Sequence, residues 1–516
     1  MGIDSKPDSF KYDGYFNTDH LRSGLRARTI QGARATIVAQ VANFGIQTIG
    51  TIILARLLTP HDFGLVTMVL TFSLLLGNFG VNGFTEAVIQ TETINHRQIS
   101  TLFWINVGFC LIIALLFIAS SPLIVWFYKE PDLTPIIIAL AASNVITGLS
   151  VQHLTLIKRN MQFHKTAAND VIASLISCSI PILLAWYGWG YWALVAKWFL
   201  VSLVTTIGAW IICRWWPGLP ARGTGIMPLL RFAFHTYGTF VFSYFSRNFD
   251  KMIIGRYAGS QPLGYYDRAY HLSNMLPGQI LTPLHSVTVA AFSRVSNDRE
   301  KYYNSYLSMI SILAFVGMPL SAALTITGKD LVLLFLGPQW DEAGQIFCAF
   351  GPSIGVAILY ITHSWLHLSL GTPDRWFRWG IVAFIVTALC FIIGLRFGAL
   401  GVAAGYSIAF YILIGPALWY AGRPIRLTLI SVLSVIWKYY VSALAAGILC
   451  WSLLYYNDII SDIFLKFNIL LRIITSVSSC LCVYLVFIVL LYKGFTPILQ
   501  FTSILREMVF IRPSEK

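Results

Sequence analysis

Apolar positions in this 516-residue chain fall into near-continuous blocks separated by short polar joints. The blocks lie near 35–58, 63–90, 98–119, 133–157, 167–187, 190–213, 229–257, 264–291, 303–326, 342–370, 375–397, 400–421, 432–456 and 467–492. Each holds about twenty residues, the length that the hydrocarbon core of a bilayer demands of a helix. In lipid only a helix or a closed barrel satisfies every backbone polar group, and unbroken rather than alternating apolar blocks select helices. The predicted fold is all-α and integral to a membrane, with about fourteen transmembrane helices.

Composition agrees: 57% of the residues are hydrophobic and 11% charged, more apolar surface than one soluble core can hide. The eight cysteines stand singly in apolar runs, with no CxxC pair, and read as small hydrophobes. The first thirty or so residues are polar and charged, and no short apolar core with a cleavage site follows, so no cleaved signal peptide is expected. A net charge of +14 raises the question of nucleic acid, but the basic residues are scattered over many short joints and form no docking surface. Placing the N-terminus in the cytoplasm puts roughly 25 basic residues inside and 6 outside, the bias of the positive-inside rule. Both termini are therefore expected in the cytoplasm.

The chain repeats itself at an interval of 200 residues. ILARLLTPHDFGLVTMV, with Arg56 eight residues before Gly64, is echoed by IIGRYAGSQPLGYYDRA, with Arg256 eight before Gly264. LIVWFYKEPDL is echoed by LVLLFLGPQWDEA, and YGWGYWALVAKW by RFGALGVAAGYS, in the same order. An even number of helices separates the copies, which makes this a parallel repeat of six plus six helices. The expected organisation is a cytoplasmic segment 1–34, a six-helix lobe 35–213, a second six-helix lobe 229–421, two additional helices over 432–492, and a cytoplasmic tail 493–516. Paired bundles of this kind are a common transporter plan, with the substrate site between the halves.

The segments ARLLTPHDFGLV, AVIQ, FDKMIIGRYAG, LGYYDRAYHL, AFSRV and LFLGPQW, taken in order over residues 25–420, resemble the polysaccharide transporter branch of the MOP flippase superfamily, the Wzx-type and colanic-acid-exporter-like proteins. The resemblance implies two six-helix lobes around a central cavity in a bacterial inner membrane. It also implies outward transport of an undecaprenyl-diphosphate-linked oligosaccharide, with polymerase and other polysaccharide-assembly proteins as partners, and no enzymatic activity.

Polar side chains inside the predicted spans supply the candidate site, because ionisable groups are costly in lipid and usually face a cavity or a partner. The first segment carries Thr36, Gln40, Asn43, Gln47 and Thr51 on one face, and the second carries Asn78, Asn82 and Glu86 at intervals of four. Interhelical hydrogen bonding and a water-filled cavity both account for such stripes. The seventh segment holds His235, Thr239, Ser243, Arg247, Asp250 and Lys251, the eighth Arg268, His271 and Asn274, and the sixth Lys197. Lys197, Arg247, Lys251 and Arg268 all fall in the outer half of the membrane, where they suit a diphosphate; the competing readings are snorkelling of Lys251 and Arg268 and neutralisation of Arg247 by Asp250. Arg34 and Glu86 lie equally far from Pro60 in the first hairpin and pair as a candidate gate. The 200-residue offset sets Gln47 against Arg247 and Thr51 against Lys251, so neutral groups in one copy face cations in the other.

The expected mechanism is alternating access without ATP. An inside-negative potential favours outward movement of an anion by about 2.3 kcal/mol per charge per 100 mV, and coupling to a proton or sodium gradient would use Asp250 and Glu86. No cofactor or metal is expected: His363 and His367 are four apart but lack a third ligand, and no phosphate-binding loop, HExxH or nucleophile elbow occurs. Two rivals remain at this point. A cation-coupled multidrug exporter of the related MATE branch would want a carboxylate-rich cavity. A membrane glycosyltransferase or polymerase would need a sizeable outer loop bearing catalytic groups.

Overall fold

A computed structural model of the chain describes residues 16, 25–79, 85, 88, 94–221, 227–456, 464 and 466–509. Among these residues there are helices and turns but no strand. Nine helices are long and apolar enough to cross a bilayer, or ten if the bent pair Pro338–Phe350 and Ser353–Ser369 counts as one span, again among the described residues. The protein is an all-α, multi-pass membrane protein. It divides into two compact units, Met1–Gly264 and Tyr265–Lys516.

The first unit contains α1 (Leu25–Leu57), α2 (Pro60–Phe79), α3 (His96–Ala119), the short α4 (Ser121–Tyr128), α5 (Leu133–Arg159), α6 (Phe163–Trp186), α7 (Tyr191–Cys213) and α8 (Met227–Tyr257). The first turn of α9 (Ser260–Arg294) also belongs to it. Local sequence sets the helix starts. Pro60 opens α2, where a missing N–H costs nothing, and Asn95 and Gln98 close a capping box at α3.

Within this unit α1 runs along α6, α5 packs on α3 and α7, and α2 packs on α5 and α8. With lipid outside, small residues and polar bonds hold the helices together. Asn106 donates to the Gly148 carbonyl at 2.9 Å, Asn169 to the Thr205 carbonyl at 3.1 Å, and Thr206 to the Ile146 carbonyl at 2.9 Å. The strand of chain leaving α7 is bolted to the start of α3: Gly218 N donates to Ser100 Oγ at 3.0 Å, and Ala221 N to Thr101 Oγ1 at 3.1 Å. Phe16, from the N-terminal segment, is buried in the same cluster with Ile99, Phe103 and Trp215.

The second unit continues with α10 (Arg299–Leu336), α11 (Asp341–Phe350), α12 (Ser353–Tyr360), α13 (Thr362–Ser369), α14 (Pro373–Gly394), α15 (Gly398–Gly422), α16 (Leu429–Tyr456), α17 (Ile469–Tyr492) and α18 (Thr496–Val509). The block predicted as one helix over 342–370 is broken. Pro352 has no N–H to continue the ladder, and the axis bends by 53° there. The carbonyls at the bend are not orphaned: Ser321 Oγ donates to Gly351 O at 2.6 Å, and Tyr411 donates to Pro352 O at 2.9 Å. The last two apolar helices, α16 and α17, pack on α10. Tyr484 of α17 donates to the Phe315 carbonyl at 3.0 Å. α18 follows α17 after a short turn, and its Phe501 ring sits 5.0 Å from that of Phe315.

Candidate functional site

Polar side chains of the first unit meet along the faces that α1, α6 and α7 turn toward one another, while α8 packs on α2 and α4. Lipid faces are recognisable by exposed apolar stripes, and on α6 that stripe is Ile172, Leu175, Leu183 and Trp186. The other side of α6 carries Asn169, Asp170, Ser174 and Cys178. α1 lies against this side, with Gly50 abutting Cys178 and Gln47 donating to Ser174 Oγ at 3.3 Å. Lys197 of α7 is near enough to Cys178 for its charge to be felt there.

The rest of the α1 stripe divides by surroundings. Thr36 is turned back onto its own helix, donating to the Gly32 carbonyl at 2.9 Å. Asn43 is half-buried, with no hydrogen bond to its Oδ1 among the described residues. Gln40 is exposed. Arg34 is exposed at the start of the stripe; its proposed partner Glu86, with Asn82 and the side chains of Asn78, His235, Thr239 and Ser243, lies outside the described residues.

On α8 one face can be oriented by its bonds. Tyr244 donates to the Leu70 carbonyl of α2 at 3.3 Å, so the stripe Tyr244, Arg247, Lys251, Ile254 is turned toward α2. Lys251 is half-buried and its charge reaches Tyr244. Asp250 is 2% exposed. Arg247 is exposed and makes no ion pair among the described residues, so Asp250 does not neutralise it. It stands ten residues before the end of α8 at Tyr257, about 15 Å along the helix axis. A guanidinium with no ion pair among the described residues, on a face turned toward another helix, suits a watered cleft rather than lipid.

Arg268 and His271 belong to the second unit. Arg268 is no free cation, because its guanidinium is paired with Asp267 beside it. His271 is exposed. His363 and His367 are each engaged, the first with the Tyr360 carbonyl at 2.6 Å and the second with Thr372 Oγ1 at 2.9 Å, and their rings stand 6.2 Å apart. Among the described residues no cluster of three His, Cys, Asp or Glu side chains is placed to hold a metal.

Asp170 was not among the residues singled out from sequence. It is exposed on the inward side of α6, one turn before Ser174. The signal was a lone carboxylate inside an apolar block, the same signal that marked Glu86 and Asp250.

A family model for the polysaccharide biosynthesis proteins matches residues 53–345, more than half the chain. The chain belongs to this family. Its relatives include the lipopolysaccharide biosynthesis protein WzxC of Escherichia coli, 24% identical over 425 residues that cover 78% of this chain and 85% of WzxC. The succinoglycan biosynthesis transport protein ExoT of Rhizobium meliloti is 24% identical over 68% of this chain and 71% of its own length. Among solved structures, the lipid II flippase MurJ in an inward closed conformation superposes with a TM-score of 0.71 at 17% identity, covering 90% of this chain and 99% of MurJ. An inward-facing multidrug resistance transporter of the MATE family gives 0.58 at 13% identity, over 74% and 94%. These likenesses establish a shared fold. As a member of the polysaccharide biosynthesis proteins, the chain is a membrane transporter and not an enzyme.

Proposed function

We propose that this transporter is a flippase that carries an undecaprenyl-diphosphate-linked oligosaccharide from the cytoplasmic to the outer face of a bacterial inner membrane by alternating access. The observation that carries the reading is Arg247: a cation without an ion-pair partner among the described residues, on the face of α8 turned toward α2. Such a group suits the diphosphate, while the half-buried Lys197 and Lys251 are two further cations of the same unit. Gln40, Asn43 and Gln47 offer neutral hydrogen-bonding groups of the kind that sugars need. Support comes from the relatives, one named as a succinoglycan transport protein and another as the teichuronic acid biosynthesis protein TuaB of Bacillus subtilis, 24% identical over 72% of this chain.

The finer architecture belongs to the same proposal. Fourteen spans result when the continuous Pro373–Ile425 stretch is counted as α14 and α15, the bent pair as one span, and α2, α8 and α9 are added despite their polar residues. The lobes are then 35–213 and 229–421 in a six-plus-six repeat, followed by the extra helices 432–492, with both termini in the cytoplasm. Asp170 favours a second reading, a cation-coupled exporter of cationic drugs, because a cation reaches an exposed carboxylate. Arg247, with no ion pair among the described residues, opposes it.

The deciding experiment compares lipid-linked sugars in cells lacking the protein with cells carrying Arg247→Ala. Cytoplasmic accumulation of undecaprenyl-diphosphate oligosaccharide in both supports the flippase and its basic group. A normal pool and normal surface polymer in the deletion, with raised drug sensitivity, supports the exporter instead.

A further inference from the structure

The turns that join α1 to α2 and α8 to α9 are the two copies of the repeat motif, and within the first unit they are packed back to back. A Cβ built on Gly64 would overlap the carbonyl oxygen of Ser260 and stand 3.0 Å from its Cα. A Cβ built on Gly264 would overlap the carbonyl oxygen of Pro60 and stand 3.2 Å from the nitrogen of Gly64. Position 60 matches 260 and 64 matches 264, so the first turn of each helix lies on the second turn of the other in a reciprocal crossing of bare backbone. At the two glycines backbone meets backbone, and a joint made there can part and re-form without reordering rotamers at those positions.

Neighbouring contacts brace one copy. Ser260 Oγ donates to Glu130 Oε1 at 2.8 Å, and the Arg256 guanidinium lies 5.8 Å from the Phe127 ring centroid. A Cβ on Gly255 would press on the Tyr128 ring at 2.7 Å. The chain after α3 thus supports the α8–α9 turn, and the α1–α2 turn meets it at the glycines.

We propose that Gly64 and Gly264 form a clasp that holds the outer side of the transporter shut, and that the clasp opens once in each transport cycle. The proposal rests on the alternating-access reading and on both turns facing outward. It implies that a single methyl group at either glycine disfavours the closed arrangement and shifts the population toward the outward-open one.

The test uses the full chain in cells, with Thr67→Cys as a reporter one turn deeper on α2, where the threonine is 6% exposed. A membrane-impermeant maleimide is added from outside, and the background from native cysteines is measured without the reporter. Gly64→Ala and Gly264→Ala should each raise labelling by about threefold or more, whereas Gly45→Ala, whose Cβ would meet nothing within 4 Å, should leave it unchanged. Labelling equal to the parent in both clasp variants overturns the proposal. Should these variants fold poorly, Pro60→Cys with Ser260→Cys, which open the two helices that cross at the glycines, joined by a short bis-methanethiosulfonate, gives a second answer. Loss of transport that reduction restores supports the clasp, and transport at the parental rate while cross-linked overturns it. The labelling needs no substrate, so a failure of the flippase reading appears separately, as an undisturbed lipid-linked sugar pool in the deletion strain.

Discussion

Asp330 of α10 and Arg472 of α17 form an ion pair inside the second unit, with the carboxylate 3% and the guanidinium 20% exposed. The Phe464 ring lies 5.5 Å from the guanidinium. The pair ties α17, the last long apolar helix, to α10, but imperfectly, since Asp330 Oδ2 and Arg472 Nε are buried without hydrogen bonds among the described residues. Removing one partner strands the other charge, whereas removing both leaves an apolar seam. Arg472→Leu should therefore lower stability by about 3 kcal/mol, and Asp330→Leu with Arg472→Leu should recover most of that loss. Thermal unfolding of the purified proteins in detergent checks it; a double variant as unstable as the single one contradicts the account.

Gln40 and Gln47 occupy one stripe of α1 but differ in surroundings, and this separates the two explanations of that stripe. Gln47 is bonded to Ser174 across the α1–α6 interface, while Gln40 is exposed. Gln47→Leu should cost about 0.6 kcal/mol in stability, the usual worth of such a bond in a membrane protein. Gln40→Leu should leave stability unchanged and reduce surface polymer if the stripe lines the sugar path. Equal effects of the two on transport and stability would mean that the stripe serves packing alone.

Charge at position 247 should matter in sign before shape. Arg247→Lys keeps the cation but loses the planar fork that fits a phosphate, so partial export is expected, reduced by about tenfold or less. Arg247→Glu should abolish export. Both are read from the radiolabelled lipid-linked sugar pool and the surface polymer, with membrane yield as the control. Full activity of Arg247→Glu removes the residue from the substrate path.

The helical fold was legible because the bilayer imposes it: a block of about twenty apolar residues has few alternatives to a helix. The break at Pro352 was harder to see, since the apolar block runs straight through it and the bend depends on Ser321 and Tyr411, residues distant in sequence, to take up the carbonyls there. Site residues were legible as types but not as surroundings. Arg247 and Arg268 look alike in sequence, yet the first has no ion pair among the described residues and the second is paired with Asp267. Glycine spacing announced the repeat, but only coordinates place Gly64 and Gly264 on each other's helices.

Asp170 and Asp250 are both carboxylates on long helices of the first unit, and their surroundings assign them different work. Asp250 is 2% exposed in a packed part of α8, where a charge is tolerated only with partners that the fold supplies. Its loss should reach the protein first as poor folding. Asp170 is exposed on the inward side of α6 beside the bonded pair Gln47 and Ser174, where a cation or a substrate hydroxyl reaches it. Asp170→Asn should therefore leave membrane yield near the parental level and cut export by about tenfold, a loss comparable to that of one positioned polar contact to a charged group. Asp250→Asn should lower yield, with export falling only in proportion to the protein present. Quantitative immunoblots of membranes beside the lipid-linked sugar assay give both readouts. If Asp170→Asn exports normally at normal yield, its carboxylate lies off the transport path, and coupling to a cation gradient loses an exposed acid on the inward side of α6.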